Sequence, residues 1–283
     1  MKGRTLNING QLLSLEQPKV MGILNVTPDS FYESSRKQEE EEIVGQVVRM
    51  LSEGADIIDI GACSTRPGAP VISAEEEMDR LRYGLKVLRK VAPAAYVSVD
   101  TFRADVARMC VEEYGVAIVN DISGGSFDAA MFPVIARLHI PYILMYMQGS
   151  VETMHLQCQY EDVVADTIKN MAVKVDSLRN MGVSDIILDP GFGFSKTVEQ
   201  NYELFAHLDD FQIFEMPLLV GISRKSMIWK KLELTPENAL NGTTALHMMA
   251  LDKGADILRV HDVNESVETV KLFMSVKKYQ QTN

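Results

Sequence analysis

Eight short apolar runs rich in β-branched residues recur along the chain: VMGILNV (20–26), ADIIDIG (55–61), YVSVDT (96–101), VAIVNDI (116–122), PYILMYM (141–147), DIILDP (185–190), PLLVGIS (217–223) and ADILRVHDV (255–263). They are nearly continuous rather than alternating, the pattern of parallel strands covered on both faces. Between them the apolar spacing turns helical. Over 160–181, Tyr160, Val163, Val164, Thr167, Ile168, Met171, Val175 and Leu178 recur close to the helical period. Ser73 with Glu76 and Thr197 with Gln200 match capping boxes, and Thr235-Pro236 matches an N-cap followed by proline at the first helical position. The acidic run Glu39–Glu42 fits the first turn of a helix, where carboxylates meet the positive end of the dipole. Gly54, Gly115, Gly182 and Gly254 each follow a helical pattern and precede a strand, as C-terminal helix caps do. Gly-Ala-Asp-Ile stands at 54–57 and again at 254–257, one helix–glycine–strand unit used twice.

Eight strand–helix units predict an α/β protein, a single (β/α)8 TIM barrel over residues 20–283. Within residues 1–19, Asn9-Gly10 lies between apolar stretches and predicts a β-hairpin that closes the barrel bottom. A doubly wound open sheet is the alternative, but no G-x-G-x-x-G follows the first strand.

Composition narrows the function classes. With 283 residues, 46% of them apolar, the chain can bury a core without covalent staples. Cys63, Cys110 and Cys158 are odd in number and lack metal spacing, which excludes a disulfide scaffold or zinc ribbon and fits a reducing cytoplasm. No apolar run is long enough to span a bilayer, and MKGRTLNINGQLLSLEQ lacks a signal-peptide core. A cytoplasmic location without a membrane partner is the expectation. A net charge of −11 argues against nucleic acid as a partner. It leaves room for an anionic ligand wherever cations gather locally.

In such a barrel the chemistry sits at the C-terminal strand ends. Those ends carry Asn25, Asp59, Asp100, Asn120, Asp189, Ser223, Arg259 and His261. Any one of them could cap a helix or hold a turn. Converging on one mouth, they make a polar site. Arg259 and His261 are two apart and share a face, whereas Asp121 points away from Asn120 and reads as structural. Ser64, Thr65 and Arg66 make a plausible anion grip, because hydroxyls and a guanidinium suit phosphate oxygens. The loop Asp189-Pro-Gly-Phe-Gly-Phe-Ser-Lys196 suits a sharply bent backbone over a ligand. Phe192 is expected in the core and Phe194 at the pocket, with Met145 as a pocket floor. Lys225 stands close to the seventh strand end.

Seven motifs, taken in order over nearly the whole chain, resemble the dihydropteroate synthase family: Met21–Phe31, Gly54–Gly61 with Ser64–Gly68, Ser98–Thr101, Asn120–Gly124, Asp189–Phe194, Gly221–Lys225 and Arg259–Val263. The resemblance implies a transferase of folate biosynthesis. It would join p-aminobenzoate to 6-hydroxymethyl-7,8-dihydropterin diphosphate, giving 7,8-dihydropteroate and diphosphate, with sulfonamides competing for the p-aminobenzoate position. Carried over residue by residue, it assigns the pterin diphosphate to Thr65, Asp100, Asn120, Ile122, Met145, Asp189, Gly221, Lys225, Arg259 and His261. It assigns p-aminobenzoate to Pro67, Phe194 and Ser223. Mg2+ on Asn25, with Arg66, Lys225, Arg259 and His261, would carry the catalysis. The resemblance also implies a homodimer using late helices. The chain departs from the family pattern in three places: Tyr32-Glu-Ser-Ser-Arg36 stands where a Ser-Asp-Gly-Gly-like turn is expected, Ser195 where glycine is commoner, and Tyr146 where histidine is commoner. A related barrel that passes a methyl group from a folate to a corrinoid protein would share Asp100, Asn120 and Asp189. A non-catalytic pterin binder would need none of Asn25, Arg66 and His261.

Overall fold

The computed structural model describes residues 4–26, 33–63, 72–150, 153 and 158–280, with the side chains of 33–37 outside that description. The chain opens with the predicted hairpin, β1 (Thr5–Ile8) and β2 (Gln11–Ser14), paired antiparallel. Asn9 and Gly10 both take positive φ, 51° and 82°, which is what a two-residue turn between right-twisted strands requires.

Eight parallel strands follow: β3 (Lys19–Asn25), β4 (Ile57–Gly61), β5 (Tyr96–Asp100), β6 (Ile118–Asp121), β7 (Tyr142–Met145), β8 (Ile186–Asp189), β9 (Leu219–Val220) and β10 (Ile257–Val260). They pair in the order β8-β7-β6-β5-β4-β3-β10-β9, and a parallel bridge between Leu188 and Leu218 closes the ring. The helices between them are α1 (Glu33–Glu53), α2 (Ala74–Val91), α3 (Ala104–Tyr114), α4 (Met131–Leu138), α5 (Val163–Asn180), α6 (Val198–Ala206), α7 (Ser226–Lys231), α8 (Leu240–Asp252) and α9 (Val263–Gln280). Among the described residues, no helix is long and apolar enough to cross a membrane.

Strand alternation divides the core into two. Outward side chains such as Leu24, Ile58, Val99 and Leu258 pack with the helices. Inward Met21, Ile57, Ile118, Ile143, Ile187, Leu219 and Ile257 fill the lower barrel, joined by Leu6, Ile8 and Leu15 from the N-terminal segment. An apolar plug therefore lies beneath whatever the upper strand ends carry.

The repeated Gly-Ala-Asp-Ile unit does one job twice. Gly54 and Gly254 turn at φ of 100° and 96°. Each following aspartate then brackets a neighbouring strand start, Asp56 accepting from Val20 N and Asp256 from Leu218 N, both at 2.9 Å. Side-chain direction likewise explains Asp121, which turns outward. Its oxygens accept from Ser123 N and Oγ, Gly125 N and the Tyr142 hydroxyl. Tyr142→Phe should cost about 1–3 kcal/mol, the usual penalty for breaking one partner of a buried bond. Chemical denaturation would measure it, and ligand affinity should stay unchanged because Asp121 faces the helices.

Three local expectations need correction. The acidic run 39–42 lies inside α1 rather than in its first turn, because the helix already starts at Glu33. Thr235-Pro236 opens a single 3-10 turn (Pro236–Asn238), with no side-chain cap from Thr235, and α8 starts separately at Leu240. Ser73 caps Glu76 N, but the Glu76 carboxylate pairs with Arg80. The Thr197–Gln200 box is complete in both directions.

Candidate active site

One layer above the plug, the inward positions change from isoleucine to polar residues. Asp59 stands in register with Ser98, and Asp100 with both Gly61 and Asn120. Arg259 starts level with Met21 on the neighbouring β3, and its side chain reaches past β3 to the next two strands. There its Nε donates to Asp59 Oδ2 and its Nη2 to Asp100 Oδ2, each at 2.7 Å. Asn120 Nδ2 donates to the same Asp59 oxygen at 3.0 Å. Asp59 is fully buried and, among the described residues, its Oδ1 has no hydrogen-bond partner. Burial would weaken the charge on Arg259, but Asp59 and Asp100 outweigh it and hold the guanidinium protonated. Burial, with Asp59 adding like charge, pushes Asp100 up to about 7 against the pull of Arg259.

Across the mouth, Asp189 ends β8 and is buried. Gly191 N donates to its Oδ1 at 2.8 Å, leaving acceptor capacity on the carboxylate. Burial raises its pKa, opposed chiefly by Lys225 and the Gly191 bond. Lys225 is pushed down to about 8 by burial, with Asp189 pulling the other way. Its Nζ donates to Phe192 O and lies 4.4 Å from the Phe194 ring centre. Between the two acidic centres runs an apolar wall of Phe102, Ile122, Met145 and Met147, with Cys63, Phe127 and Phe194 packed against it. Phe192 is fully buried, as its place in the loop predicts. Gly221 keeps the space beside Arg259 open, since a Cβ there would meet only Arg259 Cβ, at 3.8 Å.

Ser223 and His261 close this side. Ser223 Oγ accepts from His261 N at 3.2 Å and lies 3.3 Å from His261 Nδ1. The His261 side chain opens to the mouth. Partial burial and then Arg259 push its pKa down to about 4. Arg224 is held away by a two-pronged pair with Asp262. Asn25 is exposed at the end of β3, on the inward face it shares with Met21 and Ile23.

Ser64, Thr65, Arg66 and Pro67 lie outside the described residues. The residues flanking 64–71 are nonetheless held, Ala62 O by Arg80 at 3.4 Å and Ile72 O by Arg103 at 2.6 Å. Sequence patterning named Asp59 only as one polar strand end and gave Lys196 no role. Both prove to be central neighbours of the site. Their signal lay in burial, which a list of residue types does not carry.

Among the described residues, no group of three His, Cys, Asp or Glu could hold a metal ion. Asn25 supplies a single neutral oxygen. Such a donor would suit an ion that takes most of its ligands from water or a bound anion, as Mg2+ does.

A family model described as pterin binding enzyme matches residues 21–261. Dihydropteroate synthase of Escherichia coli (strain K12) is 40% identical over 267 residues, 93% of each chain. That of Synechocystis sp. is 41% identical, over 89% of this chain and 88% of the relative. The structure of Xanthomonas albilineans dihydropteroate synthase with 4-aminobenzoic acid superposes with a TM-score of 0.88 at 35% identity, covering 98% of this chain and 99% of that one. The Yersinia pestis dihydropteroate synthase complexed with a sulfonamide drug gives 0.88 at 37%, over 97% and 100%. Extending over nearly the full length at such identity, these likenesses place the chain in the dihydropteroate synthase family of pterin-binding transferases.

Proposed function

We propose that this mouth binds 6-hydroxymethyl-7,8-dihydropterin diphosphate beside Asp189, takes p-aminobenzoate beside Phe194, and joins them to 7,8-dihydropteroate and diphosphate. The observation that carries this reading is the pairing of two centres in one recess. Buried Asp189 with Lys225 faces Arg259, itself tied to Asp59 and Asp100.

A dihydropterin is flat, and its edge offers amino and ring N–H donors beside a carbonyl. The Asp189 carboxylate accepts from that edge while Lys225 donates to the carbonyl. Asn120 and Asp100 meet the remaining edge groups, Ile122 and Met145 cover the ring, and the Arg259 guanidinium lies over it. As diphosphate departs, positive charge grows on the pterin methylene carbon. Arg259, Arg66, Thr65 and His261 stabilise the departing negative charge. Mg2+, held by Asn25 together with diphosphate oxygens and water, would offset the leaving charge when bound. The aryl amine of p-aminobenzoate attacks as the free base, so no strong general base is required. Ser223 and its backbone hold the carboxylate of p-aminobenzoate, while Phe194 and Pro67 line its ring.

Release of diphosphate on mixing both substrates with Mg2+ tests the reading. Pterin binding without diphosphate release would overturn it. Titration of Lys225 provides a second check. Its pKa sits at about 8, so the donor loses its proton as pH rises through 8. Affinity for the pterin diphosphate should therefore fall above pH 8 by roughly tenfold, the loss of one charge-assisted bond. Calorimetry from pH 7 to 9.5 would show it, and Lys225→Met should flatten the profile.

Residues 1–19 serve as the closing piece and 20–283 as the working barrel. Met249, Leu272, Val276 and Tyr279 expose half or more of their surface on α8 and α9. That apolar face supports a homodimer through these helices, which sedimentation of wild type against Leu272→Glu would test. The cysteine usage supports a cytoplasmic location.

A further inference from the structure

Lys196 is a buried cation that the proposed reaction leaves without a task. It is only 8% exposed, and its Nζ donates to two carbonyls of its own loop, Gly191 O at 3.1 Å and Phe194 O at 3.2 Å. The remaining N–H lies among aromatic faces, with the Tyr146 and Tyr160 ring centres 5.3 and 6.0 Å away. An ammonium with two carbonyls and a π-face satisfies its donors without water. Burial nevertheless pushes it down to about 7, which shows how far it has been drawn from solvent.

The next residue back works on the same loop. Ser195 holds φ of 51°, a conformation easier for glycine. Its hydroxyl donates to Gln148 O at 2.5 Å and accepts from Gln148 N at 3.1 Å. Gln148 Nε2 in turn donates to the Tyr146 hydroxyl at 3.3 Å. Two of the places where this chain departs from the family pattern, Tyr146 and Ser195, are thus joined through one glutamine. The join is close-packed as well as polar. A Cβ on Gly191 would come within 2.0 Å of Tyr146 O, so only glycine lets the loops after β7 and β8 meet here.

Phe194 hangs from this frame. Its carbonyl is held by Lys196, its N–H donates to Gly191 O at 3.2 Å, and its ring lies beneath Lys225. We propose that Lys196 and Ser195 are positioning residues for the second substrate: together they lock the 189–196 loop against the turn after β7 and so set the Phe194 ring that p-aminobenzoate packs on. The inference rests on the reading of Phe194 as a wall of that subsite. Asp189 takes its place from β8 and its own bond to Gly191 N, but it also feels the Lys196 charge, so Ser195 is the cleaner of the two probes.

The test compares Lys196→Met, Ser195→Gly, Ser195→Asn and Phe194→Ala in steady-state kinetics, with pterin diphosphate affinity measured separately by calorimetry. Ser195→Gly keeps the backbone easy and removes only the hydroxyl, so it remains informative where Lys196→Met folds poorly. Lys196→Met should raise KM for p-aminobenzoate about tenfold and Ser195→Gly about threefold, the glycine variant with pterin affinity within about twofold and the methionine variant with a smaller loss of pterin affinity than of KM. Ser195→Asn tolerates the same φ and can still bond Gln148, so it should recover most of the loss. A purely structural role would lower melting temperature and active fraction while leaving KM alone, and that result overturns the proposal. If Phe194→Ala raises KM but neither neighbour does, the positioning role is wrong and the subsite reading stands. If Phe194→Ala leaves KM unchanged, the subsite reading falls and takes the proposal with it.

Discussion

Asp189→Ala should lower affinity for the pterin diphosphate by about a hundredfold or more. Hydrogen bonds to a charged acceptor contribute about 1.5–3 kcal/mol each, and two ligand donors lose their acceptor together. The loss extends to Lys225. Asp189 is the chief influence raising that lysine against burial, which already holds it at about 8. Without the carboxylate its pKa falls further, and part of the donor is deprotonated near neutral pH. Asp189→Asn separates the two effects. It keeps one acceptor and the possibility of the Gly191 bond, but loses the charge that supports Lys225. Calorimetric titration at pH 6.5 and 8 should show both variants weakened at each pH, Ala more than Asn, with the Asn loss deepening at pH 8. Normal pterin binding by the alanine variant would mean that the pocket has been misplaced.

Arg259→Ala should damage stability and function together. Removing one partner of a buried ion pair typically costs about 3–5 kcal/mol, because the charge left behind is uncompensated. Asp59 is fully buried and would retain only Asn120. Asp100 supplies a pH signature. Its folded pKa of about 7 stands above its ordinary 3.8, so the native state holds the proton more tightly than the unfolded chain. Stability from this group therefore falls as pH rises from about 4 to 7. Arg259 opposes that upward shift, so its loss should carry the decline above pH 7. Chemical denaturation from pH 5 to 8.5 would record a larger total fall than in wild type, continuing above pH 7, and Asp59→Asn in the same background should recover part of it. Unchanged stability across that range would show that the three-way pairing contributes little.

The fold was legible because its signals are local. Continuous apolar runs, glycines at helix ends and Asn9-Gly10 each report on a few neighbouring residues, and the eight strands lie where those runs lie. The misreadings were local as well. Glu39–Glu42 suits a helix start, yet α1 had already begun, and Thr235-Pro236 suits a longer helix than the single turn found. Strand alternation also assigned faces correctly, with Asp121 outward and Asn120 inward on one strand.

What alternation could not supply is which inward residues meet. Arg259 lies 200 residues from Asp59 and 159 from Asp100 along the chain, yet each is within 2.7 Å once the ring closes. Lys196 looked like an ordinary loop lysine until the loops after β7 and β8 closed around it. The lowered pKa values of His261 and Lys225 depend on desolvation and on charges brought from other strands. The amino-acid order by itself determined the barrel, its inward and outward faces and the residue types at its mouth, since those follow from short-range periodicity. Only tertiary structure decided the partners, the protonation states and the shape of the recess, because desolvation and Coulomb interaction depend on distances that ring closure alone sets.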